Sequence, residues 1–590
     1  MAEKKTPIRL PSGTTVNGLN DKIGAEVEAG LKYRKRREGE FNENYTLYRN
    51  KVKINRLTQR QPTNIPLMKE TVQTLGAKTN APIFIDFENR DGELDKEIVL
   101  NTLFREAAKE DLLNIKARVD KKNCYLYGRG HMDLEVDPNF NYVVRFVPKD
   151  PYDKIVDPGV SPYDIETARY VVDDNIFKPL HEVLRNPRFD SDAREAVRRD
   201  YAGKRGSQLI ANNNTNLARK QERMQAMGLT DLQTVQGLDA MVHLQYCHTY
   251  VYDSGAKEYV KYYVVRADSK HILRAAPAKD VFGVEFYLGE TWASDLESTD
   301  YWSDAIADIV RVPNKAINSW ISQYMENRTL RNFGMNFYDS TIEGFRPQKF
   351  DPRPFGWYPL PGKPKDVYQR VDIPELQGTL EDIQFLINIA ERASATGAVE
   401  KGQVEDVKRT LGEIEIAVSN ALERTNDIAP LYNACYERLA TKWYQLMLAN
   451  MGDKEITLYR KAPDGQLVGK TVKREDIETP NGYTITAVDK AQRVVEKTDE
   501  IVRIRAAREA FNPNNKAMRK AEQKRLMQLL DLNPQEADEI EQEEIELAEQ
   551  ALQQLGAPGG GVPGAAPPIP GAAPAPTPAP ELPVPANAQA

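Results

Sequence analysis

The clearest hydrophobic periodicity in this chain of 590 residues runs from Asp304 to Asn332. Apolar residues recur there at alternating steps of four and three, the spacing that places side chains on one face of a helix. The pattern predicts one long helix whose apolar seam consists of Ile306, Val310, Pro313, Ile317, Trp320 and Tyr324. Pro313 predicts a kink or a restart, because proline lacks a backbone N–H and its ring clashes with the preceding turn.

A second helix is predicted from Thr379, with an apolar face formed by Leu380, Ile383, Ile387 and Ala390. Between the two helices, residues 333–378 are rich in proline, glycine and aromatic side chains, which favours short strands and loops. The pattern therefore predicts a helical hairpin with a β-rich tip. Neither helix has enough partners within this hairpin to cover its seam, so we expect another copy of the chain to cover it.

The chain before this hairpin mixes helical and strand-like patterns without a regular βαβ repeat. Residues 1–30 are polar and weakly patterned, which predicts an N-terminal arm. Helices are expected over residues 31–50, 62–80, 94–120 and most of 176–235. Strands are expected at residues 82–87, 124–136, 142–148, 153–158 and 168–174, with a β-hairpin over 241–275 that turns at Asp253–Ala256.

After the second helix, a glycine-containing loop precedes a long helix expected from about Glu405 to Asn450 and interrupted at Pro430. A hairpin over residues 458–473 and a strand over 483–488 follow. Residues 490–555 have a helical pattern that is first basic and then acidic. The final 35 residues carry 11 of the 37 prolines and a single charge, so they cannot bury a core and are expected to be disordered.

Composition narrows the possible functions. No stretch is apolar enough for a membrane-spanning helix, the N-terminus lacks the apolar core of a secretory signal, and three widely spaced cysteines favour a reducing compartment. The net charge of −7 is unlike that of proteins that grip DNA along their surface. The basic run Arg34–Arg37 is a local candidate for nucleic-acid contact, although a solvated helix face has the same pattern.

The search for catalytic chemistry gives weak candidates. Gly465–Thr471 resembles a phosphate-binding loop, but it is one residue short and lies in a predicted hairpin rather than before a helix. His243 and His248 are five residues apart on a predicted strand and so point to opposite faces. A metal-dependent nuclease is left as an alternative by a group of carboxylates, although they follow a Pro/Gly loop, where Asp is favoured simply as a turn former. These are Asp153, Asp157, Asp164, Glu166, Asp173 and Asp174.

Several stretches, in this order, resemble the portal (head-to-tail connector) proteins of tailed double-stranded DNA bacteriophages. VPKDPYDKIVDPGVSPYDIETARYVV is similar to a strand–turn–strand of the portal wing, and YWSDAIADIVRVPNKAINSWISQYMENRTLRN to the descending stem helix. LEDIQFLINIAERASATGAVEKG is similar to the ascending stem helix that enters the tunnel loop, and the insertion between the helices resembles the clip. The similarity covers about residues 31–555, and the tail is a feature that portals do not need.

The resemblance implies an α+β portal fold with a mixed α/β wing, a two-helix stem, a small β-rich clip, a helical crown and a disordered C-terminal tail. The implied segments are an arm (1–30), the wing (31–300 and 410–490), stem helices (301–332 and 379–394), the clip (333–378), the tunnel loop (395–409), the crown (491–555) and the tail (556–590).

The family also implies a function and partners. Portals form a homo-oligomeric ring, usually a dodecamer, at one capsid vertex of the virion, after assembly in the host cytoplasm. The ring conducts double-stranded DNA during genome packaging and ejection. Its implied partners are the terminase large subunit, the major capsid protein, the scaffolding protein and a tail adaptor. On this interpretation the chain is not an enzyme, and no catalytic residue, metal, cofactor or membrane contact is expected. The alternatives are another phage head–tail structural protein and the metal-dependent nucleic-acid enzyme.

The implied site residues fall into three sets besides the stem seam. Tunnel-loop residues expected to face DNA are Thr396, Gly397, Glu400, Lys401, Gly402 and Gln403. Basic residues expected to line the channel or contact a partner are Arg328, Arg331, Arg346, Lys349, Arg353, Lys363 and Lys365. Aromatic residues expected between neighbouring clips are Phe345, Phe350, Phe355, Trp357 and Tyr358.

Overall fold

The structure is a computed structural model, and it describes residues 8–51, 63–78, 84–201, 241–333, 335–338, 341, 363, 368–371, 373–394, 428–452, 454–461 and 467–488. The chain divides after Arg503, and all the described residues lie before that division. They form an α+β structure, which confirms the predicted fold class at that level. The crown and tail segments, 491–555 and 556–590, lie outside the described residues.

Ten α-helices lie in the described residues: α1 (Val16–Tyr48), α2 (Leu67–Lys78), α3 (Leu94–Glu110), α4 (Leu113–Tyr127), α5 (Leu180–Arg185), α6 (Ser191–Tyr201), α7 (Ala278–Phe282), α8 (Ile306–Phe333), α9 (Thr379–Ala393) and α10 (Ile428–Met451). Of these, none is long and apolar enough to cross a membrane.

The strands of the described residues are β1 (Phe84–Asn89), β2 (Gly130–Val136), β3 (Val144–Pro148), β4 (Lys154–Val156), β5 (Tyr170–Pro179), β6 (Met241–Asp253), β7 (Glu258–Ala267), β8 (His271–Pro277), β9 (Gly289–Trp292), β10 (Met335–Tyr338), β11 (Tyr368–Val371), β12 (Ile456–Lys461), β13 (Leu467–Val472) and β14 (Tyr483–Val488). All their pairings are antiparallel.

The largest sheet has the order β4-β5-β6-β7-β8. Its central hairpin pairs β6 with β7 down to Asp253 opposite Glu258, and the Asp253 carboxylate accepts the Gly255 N–H in the turn at 2.8 Å. The first half of α1 covers one face of the sheet, where Leu19, Ile23 and Val27 are buried. Helices α5, α6 and α7 pack near the other face, so both faces of the sheet are covered.

A second and larger core lies where the sheet β3-β2-β9 and the pair β1-β14 meet helices α2, α3, α4, α8 and α10 and the second half of α1. Trp443 of α10 is fully buried and stacks edge-on against Phe104 of α3, with ring centroids 5.0 Å apart. This core joins the segments before and after the α8–α9 hairpin, and Val310, Ile317, Ile383 and Ala390 of the hairpin belong to it.

The N-terminal arm is a wrong prediction for the described residues. The backbone N–H of Arg9 donates to Ala275 of β8 at 2.7 Å, and α1 begins at Val16 after the N-cap Thr15, whose hydroxyl accepts the Gly18 N–H. Gly30 lets α1 approach the sheet, because a Cβ there would lie 2.5 Å from the Ile155 side chain. A helix with one apolar residue in four is weakly patterned, yet that stripe is enough to pack on a sheet.

The single helix predicted over residues 94–120 is two helices. Leu112 adopts the left-handed conformation with φ 56°, which separates α3 from α4. Helix α4 continues to Tyr127, so the strand predicted from Cys124 begins only at Gly130. Gly128 makes this change possible, because its φ is +84° and a Cβ would lie 2.0 Å from the Ser303 carbonyl oxygen.

The other hairpins and helices agree more closely with the sequence. The predicted hairpins at 241–275 and 458–473 and the strand at 483–488 are confirmed. Of the helical region 176–235, β5 occupies the start, α5 and α6 follow, and residues 202–240 lie outside the described residues. Helix α10 runs through Pro430, and the rest of the helix expected from Glu405 lies outside the described residues.

Candidate self-association surface

Helix α8 is held at its first turn by the carboxylate of Asp308. Oδ1 accepts hydrogen bonds from Arg311 Nη1 at 2.6 Å and from Asn44 Nδ2 at 2.9 Å. Oδ2 accepts from Arg37 Nη2 at 2.6 Å and from the backbone N–H of Ala305 at 2.8 Å. A carboxylate that reaches back to the N-cap N–H forms half of a capping box. Asp308 therefore both starts α8 and fastens it to α1.

Two further ion pairs continue this contact along the two helices. Arg311 Nη2 lies 3.2 Å from Glu40 Oε1, and Lys315 Nζ lies 3.0 Å from Glu43 Oε2. The Lys315–Glu43 pair is about half exposed, so it contributes little to stability, whereas the Arg311 guanidinium is mostly buried. The first two turns of α8 are thus fixed on α1, so the side of α8 that faces away from α1 is defined.

The inner face of α8 is covered by the chain itself. Val310 and Ile317 are fully buried, and Asn318 Oδ1 accepts the backbone N–H of Ile65 at 2.8 Å. Helices α1, α2 and α4 supply the contacts, so the prediction that another copy covers this seam is wrong for Val310 and Ile317. Ile306 and Tyr324 are partly buried. Trp320, which the sequence placed on the same seam, is partly exposed on the outer side.

Helix α9 packs antiparallel against α8. Asn327 near the end of α8 donates to the Pro374 carbonyl oxygen at 3.1 Å, and Arg331 pairs with Glu375 at 2.9 Å just before α9 begins. On α9, the face towards the core contains Ile383 and Ala390, which are buried, and Ile387, which is partly buried, while Leu380 at the start of the helix is exposed. The strands β10 and β11, which lead into and out of the 339–367 segment, pair with each other.

Large apolar side chains are concentrated on the outer surface of this helix pair. Of the sixteen that are exposed among the described residues, nine lie on α8, on α9 or directly before α9. We call Ile309, Val312, Ala316 and Trp320 the outer face of α8; their steps of three and four residues place them together, opposite the buried face. Val312 is 67% exposed.

The outer face of α9 is formed by Asp382, Phe385 and Ile389, also at steps of three and four. Phe385 is 62% exposed, although it is one of the largest apolar side chains on the hairpin. Scattered apolar residues are normal on a protein surface, but a concentration of exposed large apolar side chains on two neighbouring helices indicates an interaction surface. We therefore take the outer faces of α8 and α9 as the candidate functional site.

Most of the other predicted site residues lie outside the described residues. These are all the tunnel-loop residues, all the clip aromatic residues, and Arg346, Lys349, Arg353 and Lys365. Of the basic set, Arg328 and Lys363 are exposed and Arg331 forms the ion pair with Glu375. The assignments of these residues to a channel or a clip interface stay predictions.

The basic run Arg34–Arg37 is largely used within the fold. Arg34 is buried and donates to the carbonyl oxygens of Pro151 and Lys154, both at 2.9 Å. Arg37 belongs to the Asp308 contact, and Arg36 pairs with Asp300 at 3.1 Å. Three of the four guanidinium or ammonium groups thus hold structural contacts, which weakens the interpretation of this run as a nucleic-acid contact.

The carboxylates of the nuclease alternative are engaged with cations and amides. Asp157 accepts two hydrogen bonds from the Arg169 guanidinium, at 2.6 and 2.7 Å, and Glu166 lies 2.5 Å from Lys442 Nζ and 3.0 Å from Lys261 Nζ. The rest bond as follows: Asp153 to Asn175, Asp164 to the Glu166 N–H, Asp173 to Lys154, and Asp174 to His243 and Gln245. In the part of the chain that the structure describes, no group of three or more His, Cys, Asp or Glu is arranged to hold a metal.

The histidines also have structural partners. His243 bonds to Asp174 at 2.7 Å, whereas His248 packs between the rings of Tyr263 and Phe282. Burial lowers the pKa of His248 to about 3, so its imidazole is neutral at physiological pH.

One buried carboxylate gives the structure a specific pH dependence. Asp120 accepts hydrogen bonds from Trp292 Nε1 at 2.8 Å and from the Tyr436 hydroxyl at 3.3 Å. Burial raises the pKa of Asp120 to about 6, and these hydrogen bonds only partly oppose the increase. Because the folded state binds a proton more tightly than the unfolded state, this group makes stability fall as the pH rises from about 4 to about 6.

We therefore expect Asp120→Asn to gain stability relative to the wild type as the pH rises from 4 to 7, by at most about 3 kcal/mol. Urea unfolding at several pH values measures this difference. Asp157→Asn serves as the control. The hydrogen bonds from Arg169 and Gly159 outweigh burial and lower the pKa of Asp157, so its contribution to stability changes mainly below about pH 4, and the difference between this variant and the wild type stays nearly constant from pH 4 to 7. A pH-independent difference for Asp120→Asn would contradict the assignment.

A scan against models of protein families gives no match for this chain, and a search of curated proteins gives none.

Proposed function

We propose that this chain is a structural subunit that forms a ring of identical copies, and that the ring is a portal of a tailed double-stranded DNA bacteriophage. In this proposal the α8–α9 hairpin is the stem, the residues between its helices are the clip, and the body with the five-stranded sheet is the wing. Double-stranded DNA passes through the ring during packaging and ejection, and the terminase large subunit, capsid and scaffolding proteins and a tail adaptor bind around it.

The observation that carries the proposal is the exposed apolar surface of the helix pair. A protein that acts as a monomer gains nothing from placing Val312 and Phe385 in water, while burial of each side chain in an assembly contributes about 1.5–3 kcal/mol. The inner face of the hairpin is already covered by the chain itself, so its outer faces remain for another molecule.

The charge of the chain supports a conduit rather than a DNA clamp. Each phosphate that a protein neutralises must be released again when the DNA moves, and this cost increases with the number of basic contacts. A chain with a net charge of −7 offers few such contacts, and three residues of its most basic run are held in the fold.

The first experiment is negative-stain electron microscopy of the purified full chain, with mass photometry of the same sample. We expect annular particles with a central hole and a mass near twelve copies of 66.8 kDa. A monodisperse monomer at micromolar concentration, also in the presence of capsid and scaffolding proteins, contradicts the proposal. A magnesium-dependent nuclease assay on that monomer would then test the alternative.

A further inference from the structure

A second exposed helix face lies on α4, a helix that also contacts α8. Ile115 and Val119 are exposed, and Leu112, at the turn before the helix, is exposed as well. Arg118 and Lys122 lie on the same face, because they follow Ile115 by three and seven residues. We call Ile115, Arg118, Val119 and Lys122 the outer face of α4. It combines two apolar and two basic side chains.

The outer face of α9 has the opposite charge. Phe385 and Ile389 supply its apolar side chains, and Asp382 and Glu381 lie one turn before Phe385 and are both exposed. The outer face of α9 therefore carries two apolar and two acidic side chains, whereas the outer face of α4 carries two apolar and two basic ones. Complementary charges that border apolar contacts are what specific interfaces use to select a partner and fix its register.

The spacing of the two faces also matches. In an antiparallel pairing, Lys122, Val119 and Ile115 on α4 run at steps of three and four residues. Asp382, Phe385 and Ile389 on α9 run in the same order of steps. Each set extends over about 10 Å of helix, so Lys122 meets Asp382, Val119 meets Phe385 and Ile115 meets Ile389 without a shift in register.

The need for two different faces follows from ring symmetry. A closed ring with more than two copies uses a heterologous interface, in which one surface of each copy binds a different surface of the next. We propose that the outer face of α4 in one copy packs antiparallel on the outer face of α9 in the neighbouring copy. This contact rests on the proposed ring function and names two of the surfaces that close the ring.

Charge reversal with rescue tests the contact. Arg118→Glu together with Lys122→Glu is expected to raise the protein concentration at which rings form by about tenfold or more, and so is Glu381→Lys together with Asp382→Lys. The chain that carries all four changes restores assembly towards the wild type, because the charges are again opposite. Arg118, Glu381 and Asp382 are exposed, and Lys122 is partly buried. The melting temperature of each variant, measured by circular dichroism, is therefore compared with that of the wild type, so that a loss of assembly is separated from a loss of folding.

Site-directed cross-linking tests the direction of the contact. A chain with both Ile115→Cys and Ile389→Cys, treated with a short bifunctional maleimide, is expected to give a ladder of covalent oligomers. Each single variant gives monomers only, and an equal mixture of the two gives dimers and nothing larger. The three native cysteines, Cys124, Cys247 and Cys435, are buried and free, so they stay unreactive in the folded chain.

The outcomes separate this contact from the ring itself. If the wild type forms rings and both charge-reversal variants form them at the same concentration, the contact is overturned and the ring proposal stands. A double-cysteine chain that gives no ladder has the same meaning. A ladder from Ile115→Cys alone overturns the heterologous arrangement. A wild type that stays monomeric overturns the ring and the contact together.

Discussion

Asp308→Ala is expected to lower the free energy of unfolding of this chain by about 2–4 kcal/mol. The carboxylate accepts four hydrogen bonds, from Arg37, Arg311, Asn44 and the Ala305 backbone, and its side chain is 11% exposed. Its removal leaves two partly buried guanidinium groups with fewer anionic partners and deprives α8 of its N-terminal cap. Guanidinium unfolding followed by far-ultraviolet circular dichroism measures the change.

The matched control is Asp304→Ala. Asp304 also pairs with Arg37, at 2.7 Å, but its side chain is 60% exposed. An exposed ion pair contributes only about 0–1 kcal/mol, so this variant is expected to unfold almost like the wild type. Equal losses for the two variants, or a loss below about 1 kcal/mol for Asp308→Ala, would show that the contact between α1 and α8 does not depend on the buried carboxylate.

The α8–α9 hairpin shows how far the sequence determines the site. The steps of four and three correctly predict the helix and its end near residue 333, because the helical spacing of apolar residues does not depend on which molecule covers them. They do not decide which apolar face is inside. Val310 and Val312 are both valines on one helix, yet the first is buried by α1, α2 and α4 and the second is in water. Only the position of the neighbouring helices separates them.

A signal for the outer face was nevertheless present. Ile309, Val312 and Ala316 repeat at steps of three and four, so α8 is apolar on two sides, and such a helix is expected to be buried on both. A search for a second stripe on the same helix would have found it. The equivalent stripe on α4 was not predicted, for another reason. Nothing in the local sequence indicates that Leu112 takes a left-handed conformation between α3 and α4, because leucine rarely adopts one.

The roles of the charged residues were predictable only in part. The sequence shows that Asp157 and Glu166 lack the spacing of a catalytic motif. It does not show that they pair with Arg169 and Lys442, because those contacts form only when the tertiary structure brings the residues together. The same holds for Arg37, which belongs to a basic run in the sequence and to a carboxylate cluster in the structure. A run of like charges is visible in the sequence, but the residues that form ion pairs with it belong to elements up to hundreds of residues away.

Val312→Glu is expected to abolish assembly while leaving the monomer folded. Val312 is the most exposed residue of the outer face of α8, so a carboxylate there is solvated in the monomer and changes its stability by less than about 0.5 kcal/mol. In a ring that buries this face, the same carboxylate becomes an unpaired buried charge that costs several kcal/mol at every interface. Because a ring repeats each interface, the variant should give only monomers by mass photometry at concentrations where the wild type gives rings.

Tyr259→Glu is the control for this substitution. Tyr259 is 70% exposed, close to the 67% of Val312, but it lies near the tip of the β6–β7 hairpin and on neither α8 nor α9. A new carboxylate at that tip should leave ring formation unchanged if the outer faces of α8 and α9 are what copies of the chain bury. Rings that persist in Val312→Glu and disappear in Tyr259→Glu would move the interface from the helix pair to the sheet, since the two variants add the same charge to surfaces of similar exposure.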